Sequence, residues 1–310
     1  MKLSYQARIT ASAVLMVVVV VMLAASLLFP RTDRTVKVMD LLFVIDITQS
    51  MDVVDVDLNG QQVSRLTWAK EYARQTLQQL PCGSHVGLAA FSESRSLVLI
   101  NPVEICESYN DLTHMLSKID ANMAWALSSE VSKAVFSAID QAKLMKPSPD
   151  VVFITDGHEA PPLHVELYPK YKKQMGDVTG VFVGVGGEKL LPIPKHDFDG
   201  TSNGFWEEND VMQEDVYASL SNDPESRGVR ARIEHLSSQK IDHIKELAKR
   251  LKFDVLISPT SSSAIVDSLQ KKVKTRDQVV DYSWAPWFAS IALLLLVALY
   301  LPFRLFREES

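Results

Sequence analysis

The segment Asp46-Ile47-Thr48-Gln49-Ser50 sets a carboxylate and two hydroxyls on alternate residues. It closes an apolar, β-rich run, VMDLLFVIDI from Val38 to Ile47, so these oxygens stand at the end of a strand. A second apolar run, VVFIT from Val151 to Thr155, ends in Asp156-Gly157. Between them a polar loop carries Ser128 and Ser129, just ahead of an amphipathic stretch that begins at Val131. If the three segments converge, they make an all-oxygen site. Hydroxyls and carboxylates suit a hard divalent cation, with Mg²⁺ favoured by octahedral geometry and few protein ligands.

Convergence needs the strands to share one sheet. The chain alternates buried-type strands with amphipathic helices. After the first strand, Ser64 caps a helix running to Leu80, with Leu66, Ala69, Ala73 and Leu77 on one face. Strands follow at His85–Phe91 and Leu97–Ile100, then helices at Tyr109–Ile119 and Val131–Met145. Val151–Thr155 and Val178–Val185 are continuous apolar runs, as in strands covered on both faces. Ser237 and Ser238 cap a helix to Leu251, Phe253–Ile257 is a last strand, and a helix runs from Ser261–Ser263 to Lys274. This order predicts an α/β fold with a doubly wound, mostly parallel sheet, whose ligands bind beyond the carboxyl ends of the strands. Residues 187–234 are rich in Gly, Asp, Asn and Pro and form a long excursion carrying Phe198, Phe205, Trp206 and Tyr217.

Asp46-x-Thr48-x-Ser50, a loop hydroxyl at Ser129 and Thr155-Asp156-Gly157 resemble the metal-ion-dependent adhesion site of von Willebrand factor A domains. That family's usual form is Asp-x-Ser-x-Ser, then Thr, then Asp. Thr48 stands in place of Ser, and Ser129 in place of Thr, with Ser128 as the alternative. The resemblance covers roughly residues 38–260 and implies five metal-site residues: Asp46, Thr48, Ser50, Ser129 and Asp156. It further implies that the hydroxyls ligate the ion directly and the carboxylates act largely through waters. Mg²⁺ is the expected ion, with Ca²⁺ or Mn²⁺ compatible. One open position would take an acidic residue of a protein partner. Further motifs resemble bacterial membrane-anchored A-domain proteins: Arg65-Leu66 with Ala69-Lys70, Leu80-Pro81-Cys82-Gly83-Ser84, Pro102-Val103-Glu104-x-Cys106, Gly157-x-Glu159-Ala160-Pro161-Pro162 and Glu234-His235-Leu236-Ser237. The likeness is greatest to accessory proteins of methanol-oxidation clusters, of the Mxa type. It implies an assembly or metal-insertion factor for a periplasmic enzyme such as methanol dehydrogenase, working with other A-domain proteins of the cluster.

The chain of 310 residues has charge-free stretches near both ends, from Ala11 to Phe29 and from Ala285 to Phe303, each long enough for a membrane span. Trp284, Trp287 and Tyr300 edge the second. Basic residues flank both stretches on both sides, so the positive-inside rule does not choose an orientation. Two spans place both termini on one side of the membrane. The expected organisation is a tail at 1–10, a span at 11–30, the A domain at 38–260, a helix and juxtamembrane linker at 261–284, a span at 285–303 and a tail at 304–310. The resemblance puts the tails in the cytoplasm and the domain in the periplasm, on the inner membrane. A net charge of −6 leaves no basic footprint for nucleic acid. Cys82 and Cys106 each fall in a loop and read either as two thiols or as a bond, which the periplasmic setting favours.

Other chemistries fit less well. A phosphoryl-accepting Asp46 would want a second carboxylate where Thr48 stands. His196-Asp197-Phe198-Asp199 reads as solvated loop, and Gly184-x-Gly186-Gly187 lacks the residues of a phosphate loop. The expectation is a non-enzymatic binding protein. The alternatives are a metal-dependent hydrolase at the same oxygens, with His158 or Glu159 as base, and a structural anchor with a vestigial site.

Overall fold

The computed structural model describes residues 5–28, 31–163, 168–174, 176–197, 200–213, 232–259 and 261–300. The chain forms two compact units, one of residues 37–276 and one of residues 1–36 with 277–310.

The larger unit is built on strands in the order β12 (Asp254–Ile257), β7 (Gly180–Gly184), β6 (Asp150–Thr155), β1 (Thr32–Asp46), β4 (His85–Ser92) and β5 (Arg95–Glu104). All neighbours pair in parallel except β4 and β5, which form an antiparallel hairpin edge. This is the mostly parallel α/β sheet expected. Alternate residues of β1 face opposite sides. Leu41, Phe43 and Ile45 pack under α2 (Arg65–Gln79), α3 (Tyr109–Lys118) and α6 (Ser262–Lys272). Leu42 and Val44 pack under α4 (Val131–Leu144) and α5 (Ile241–Leu251). With helices on both faces, every central strand is buried twice, which explains the unbroken apolar runs. Chain connections leave β1 toward β4 and return to β6 on its other side. The loops after β1 and β6 therefore diverge and open a crevice at the carboxyl ends of these strands.

Ser64 caps α2 as expected, its hydroxyl accepting from Thr67 N at 3.1 Å. Three elements differ from the sequence reading. Residues between the first strand and α2 form a hairpin, β2 (Val54–Leu58) with β3 (Gln61–Ser64), turned by Asn59 and Gly60 at positive φ. The helix expected from Ser237 starts only at Ile241, because Leu236–Ser237 (β11) pairs with Leu191–Pro192 (β8) and the Ser237 hydroxyl is taken by a buried arginine. The linker expected at 275–284 is instead β13 (Thr275–Tyr282), paired with β1. Its exposed and half-buried residues alternate, as a strand with one covered face requires.

The smaller unit holds α1 (Tyr5–Leu28) and α7 (Ala285–Tyr300), which pack against each other. Val19 and Ala292 are buried in their seam, while Val14, Val17, Leu27, Leu293 and Leu294 are exposed. Among the described residues, no helix is long and apolar enough to cross a membrane. The apolar stretches of the sequence run on to Phe29 and Phe303, outside the described helices.

Cys82, after α2, and Cys106, after β5, form a disulfide with Cα atoms 5.3 Å apart, the second of the two readings of this pair. It closes a loop of 24 residues in sequence separation. Replacing both cysteines by serine is expected to lower unfolding free energy by about 3 kcal/mol, through a less constrained unfolded chain. Denaturant titration of the two proteins measures it.

Candidate functional site

The five residues picked from the sequence lie together where β1 and β6 end, and all are buried: Asp46, Thr48, Ser50, Ser129 and Asp156. Asp46 is the last residue of β1 and points its carboxylate across the strand ends. Its Oδ1 accepts from Thr48 N at 3.0 Å and Thr48 Oγ1 at 2.7 Å, and its Oδ2 from Thr155 Oγ1 at 2.6 Å. Thr48 and Ser50 sit on a tight 3-10 turn over Gln49–Asp52, with their hydroxyl oxygens 3.3 Å apart. The Ser50 hydroxyl also bonds the Asp156 carboxylate. Ser129, rather than Ser128, has the inward hydroxyl. It is held between Glu93 and Ala160 by backbone bridges, and its Oγ donates to His158 O at 2.8 Å.

Behind these oxygens lies a cation that sequence reasoning had placed only within a motif. Arg65, the first residue of α2, is fully buried. Its Nη1 donates to Asp156 Oδ2 at 2.6 Å and to Ser237 Oγ at 2.7 Å, and its Nε and Nη2 fork onto Asp55 of β2 at 3.0 and 2.6 Å. The same Asp55 accepts from Gly187 N at 2.9 Å, fastening the start of the excursion. Gly186, at φ +121°, lies flat on the guanidinium; a Cβ there would stand 2.8 Å from Arg65 Nε. A cation at the first turn of a helix opposes the helix dipole, so Arg65 directly after the cap is a local anomaly that points to an acidic partner. Which acids answer it was not readable.

The two carboxylates are driven apart in affinity for protons. Burial and the nearby Asp156 push Asp46 up to about 7. Burial acts on Asp156 in the same sense, but Arg65, His158 and the bonds from His158 N and Ser50 outweigh it and hold it below the usual carboxylate range. Burial lowers His158 to about 4, so its imidazole is neutral.

The site opens on a cleft of about 360 Å³ lined by Thr48, Ser50, Ser128, Ser129 and His158. The excursion forms part of its wall. Within it, β9 (Pro194–His196) pairs with β10 (Ser202–Phe205). Gln49 clamps this hairpin, donating to His196 O at 3.3 Å and accepting from Trp206 Nε1 at 2.5 Å. Trp206 is thus pinned to its own domain, with Lys195 over its ring, whereas Phe205 is exposed. Phe198 and Tyr217 lie outside the described residues. Glu159 faces away from the hydroxyls' work: its Oε1 accepts from Ser132 N and Oγ at the start of α4 and from His243 Nε2. Among the described residues, the one cluster of His, Cys, Asp and Glu side chains close enough for a metal is Cys82, Glu104 and Cys106, whose thiols are spent on the disulfide.

Residues 41–158, from mid-β1 through the Asp156 turn, match the family model of the von Willebrand factor type A domain. The match supports the von Willebrand factor A resemblance over this part of the chain. Among solved structures, the chain is similar to an aerotolerance-related membrane protein from Bacteroides fragilis, at 18% identity and a TM-score of 0.51 over 75% of this chain and 97% of that one. It is equally similar to the conserved hypothetical protein BatB from Bacteroides thetaiotaomicron, at 19% identity and a TM-score of 0.50 over 75% and 98%. At these identities the likeness is one of fold. No curated protein matches the chain. The fold thus agrees with the A-domain resemblance, while the methanol-oxidation likeness stays with the sequence motifs.

Proposed function

We propose that the A domain holds a divalent cation on Thr48, Ser50 and Ser129, backed by Asp46 and Asp156, and uses it to bind an acidic side chain of a protein partner. The observation that carries this reading is the direction of three protons. Thr48 Oγ1 gives its proton to Asp46, Ser50 Oγ bonds Asp156, and Ser129 Oγ gives its proton to His158 O. A hydroxyl whose proton is committed inward has only acceptor capacity left, and all three line one open cleft. Neutral oxygens in that state, with carboxylates behind them, suit Mg²⁺, and Mn²⁺ or Ca²⁺ after it. With few negative charges in contact, the ion stays electrophilic toward a partner's carboxylate. Of the two candidate bases, Glu159 is outside the cleft lining and engaged by Ser132 and His243, which favours binding over hydrolysis by that residue.

The role that goes with such a site is that of an assembly or metal-insertion factor for a periplasmic enzyme, methanol dehydrogenase being the example its motifs imply, alongside other A-domain proteins. Pull-down from native membranes tests the docking. Wild type is expected to retain a partner that Thr48→Ala/Ser50→Ala loses with its fold intact. Retention by that variant would mean the ion is not the docking point.

We further propose that α1 and α7 anchor the protein in the inner membrane with the domain on the periplasmic side. Outside their seam both helices expose apolar side chains, a surface that water disfavours and lipid does not. A reporter fused at Asn203 is expected to read out as periplasmic; a cytoplasmic signal there reverses the topology.

A further inference from the structure

The cleft over the three hydroxyls is larger and more apolar than one carboxylate needs. The hydroxyls Thr48, Ser50 and Ser129 lie on its floor, and Gln49, Ser128, His158, Asp210 and Glu234 also line it. Apolar side chains enter its walls from three directions: Leu127 from the loop before α4, Pro161 from the loop after β6, and Ile193, Trp206 and Met212 from the excursion. Leu127 and Met212 are 52% and 57% exposed, although each borders a partly enclosed space. Of the two carboxylates in the lining, Asp210 and Glu234, Asp210 is paired with Lys195 at 2.9 Å, which offsets its charge toward an incoming acid. Its volume of about 360 Å³ falls at the low end of ligand pockets, which run to about 300–1,000 Å³ and combine apolar walls with a few orienting polar groups.

We infer that the partner presents a carboxylate side chain directly beside large aliphatic side chains, and that Leu127 and Met212 select for them. The inference rests on the cation reading above. The ion at the floor would take the carboxylate, and the neighbouring side chains would cover Leu127, Met212 and the Trp206 edge. Two of the walls are tied to the domain: Trp206 is bonded to Gln49, next to Ser50, and Ile193 N and O bond His235 O and Trp206 N. That part of the surface is therefore formed in advance, and little binding energy goes to ordering it.

The test uses the full chain in detergent and three fluorescent peptides of equal length: an aspartate flanked by leucines, the same aspartate flanked by glycines, and an asparagine flanked by leucines. Anisotropy is read with Mg²⁺, with Mn²⁺ and with chelator, and Mn²⁺ occupancy is followed separately by electron paramagnetic resonance. The leucine–aspartate peptide is expected to bind, with metal, at least about tenfold tighter than the glycine–aspartate one, from burial of one aliphatic side chain. Leu127→Asn and Met212→Asn are expected to erase that difference while leaving the glycine–aspartate peptide and Mn²⁺ occupancy unchanged. Equal binding of the two aspartate peptides overturns the apolar selection and leaves the cation reading standing. Binding that survives chelator, or is the same for asparagine, overturns the cation reading itself. Mn²⁺ occupancy with no peptide bound overturns the inference alone.

Discussion

Arg65→Met should destabilise the domain by about 3–5 kcal/mol, the largest single loss expected from any side chain in the chain. Arg65 neutralises two acids that have almost no access to water; the Asp55 and Asp156 side chains are 6% and 0% exposed. Deleting the guanidinium removes four bonds shorter than 3.1 Å at once and leaves a buried carboxylate on each side of the gap. Methionine fills much of the volume but supplies no donor. The variant also unfastens three segments from one another: the β2–β3 hairpin at Asp55, the end of β6 at Asp156 and β11 at Ser237. Arg65→Lys should recover part of the loss, because it keeps the charge but cannot fork onto Asp55. Equilibrium denaturation of the three proteins measures both effects. A loss below about 1 kcal/mol for the methionine variant would mean that water or protonation relieves the two acids as well as arginine does.

Asp46→Ala should remove most divalent-cation binding, with affinity reduced about 10–100-fold. The carboxylate supplies charge, and it also orients. With it gone, the Thr48 hydroxyl and the Thr48 N–H lose their acceptor, and the hydroxyl proton is free to turn into the cleft, where it repels a cation. Calorimetry with Mg²⁺, Mn²⁺ and Ca²⁺ checks this, and unchanged binding would remove Asp46 from the site. A pH dependence belongs to the same residue. Asp46 is raised from 3.8 to about 7 by burial and by Asp156, so the folded metal-free domain holds a proton that the unfolded chain releases. Its contribution to stability is full below 3.8 and is lost as pH rises through about 7. Asp156 has the opposite sign: it is depressed, and its contribution is present above its ordinary value of 3.8 and lost on acidification. A cation held as proposed would replace the Asp46 proton. The rise in melting temperature on adding Mg²⁺ is therefore expected to be larger at pH 8 than at pH 5, and the difference should vanish in Asp46→Ala.

Local pattern carried a large part of this protein. Apolar runs of five to ten residues marked β1, β4, β6 and β7, because strands buried on both faces have no polar alternation to hide them. Ser64 marked the start of α2 because a cap acts within one turn. The site oxygens were legible for a related reason. Asp46, Thr48 and Ser50 are spaced along one strand end and its turn, and their chemistry is visible in residue type alone. What tertiary structure decided was every polar contact between segments far apart in sequence. Arg65 reaches Asp156 and Ser237 across 91 and 172 residues, and Gln49 reaches Trp206 across 157. Nothing in the periodicity of either partner records such a pairing. The same cause moved the start of α5. Ser237 looks like a cap beside Ser238, but its hydroxyl and backbone are claimed by Arg65 and by β8, so the helix waits until Ile241. Residues 275–282 became a strand because β1 extends past the buried sheet and offers them an edge. The sequence alone thus determined which atoms could meet a cation, because that depends on residue type and short spacing. The fold decided which buried charge stands behind them and which walls stand around them, because those depend on long-range contacts that local patterns do not encode.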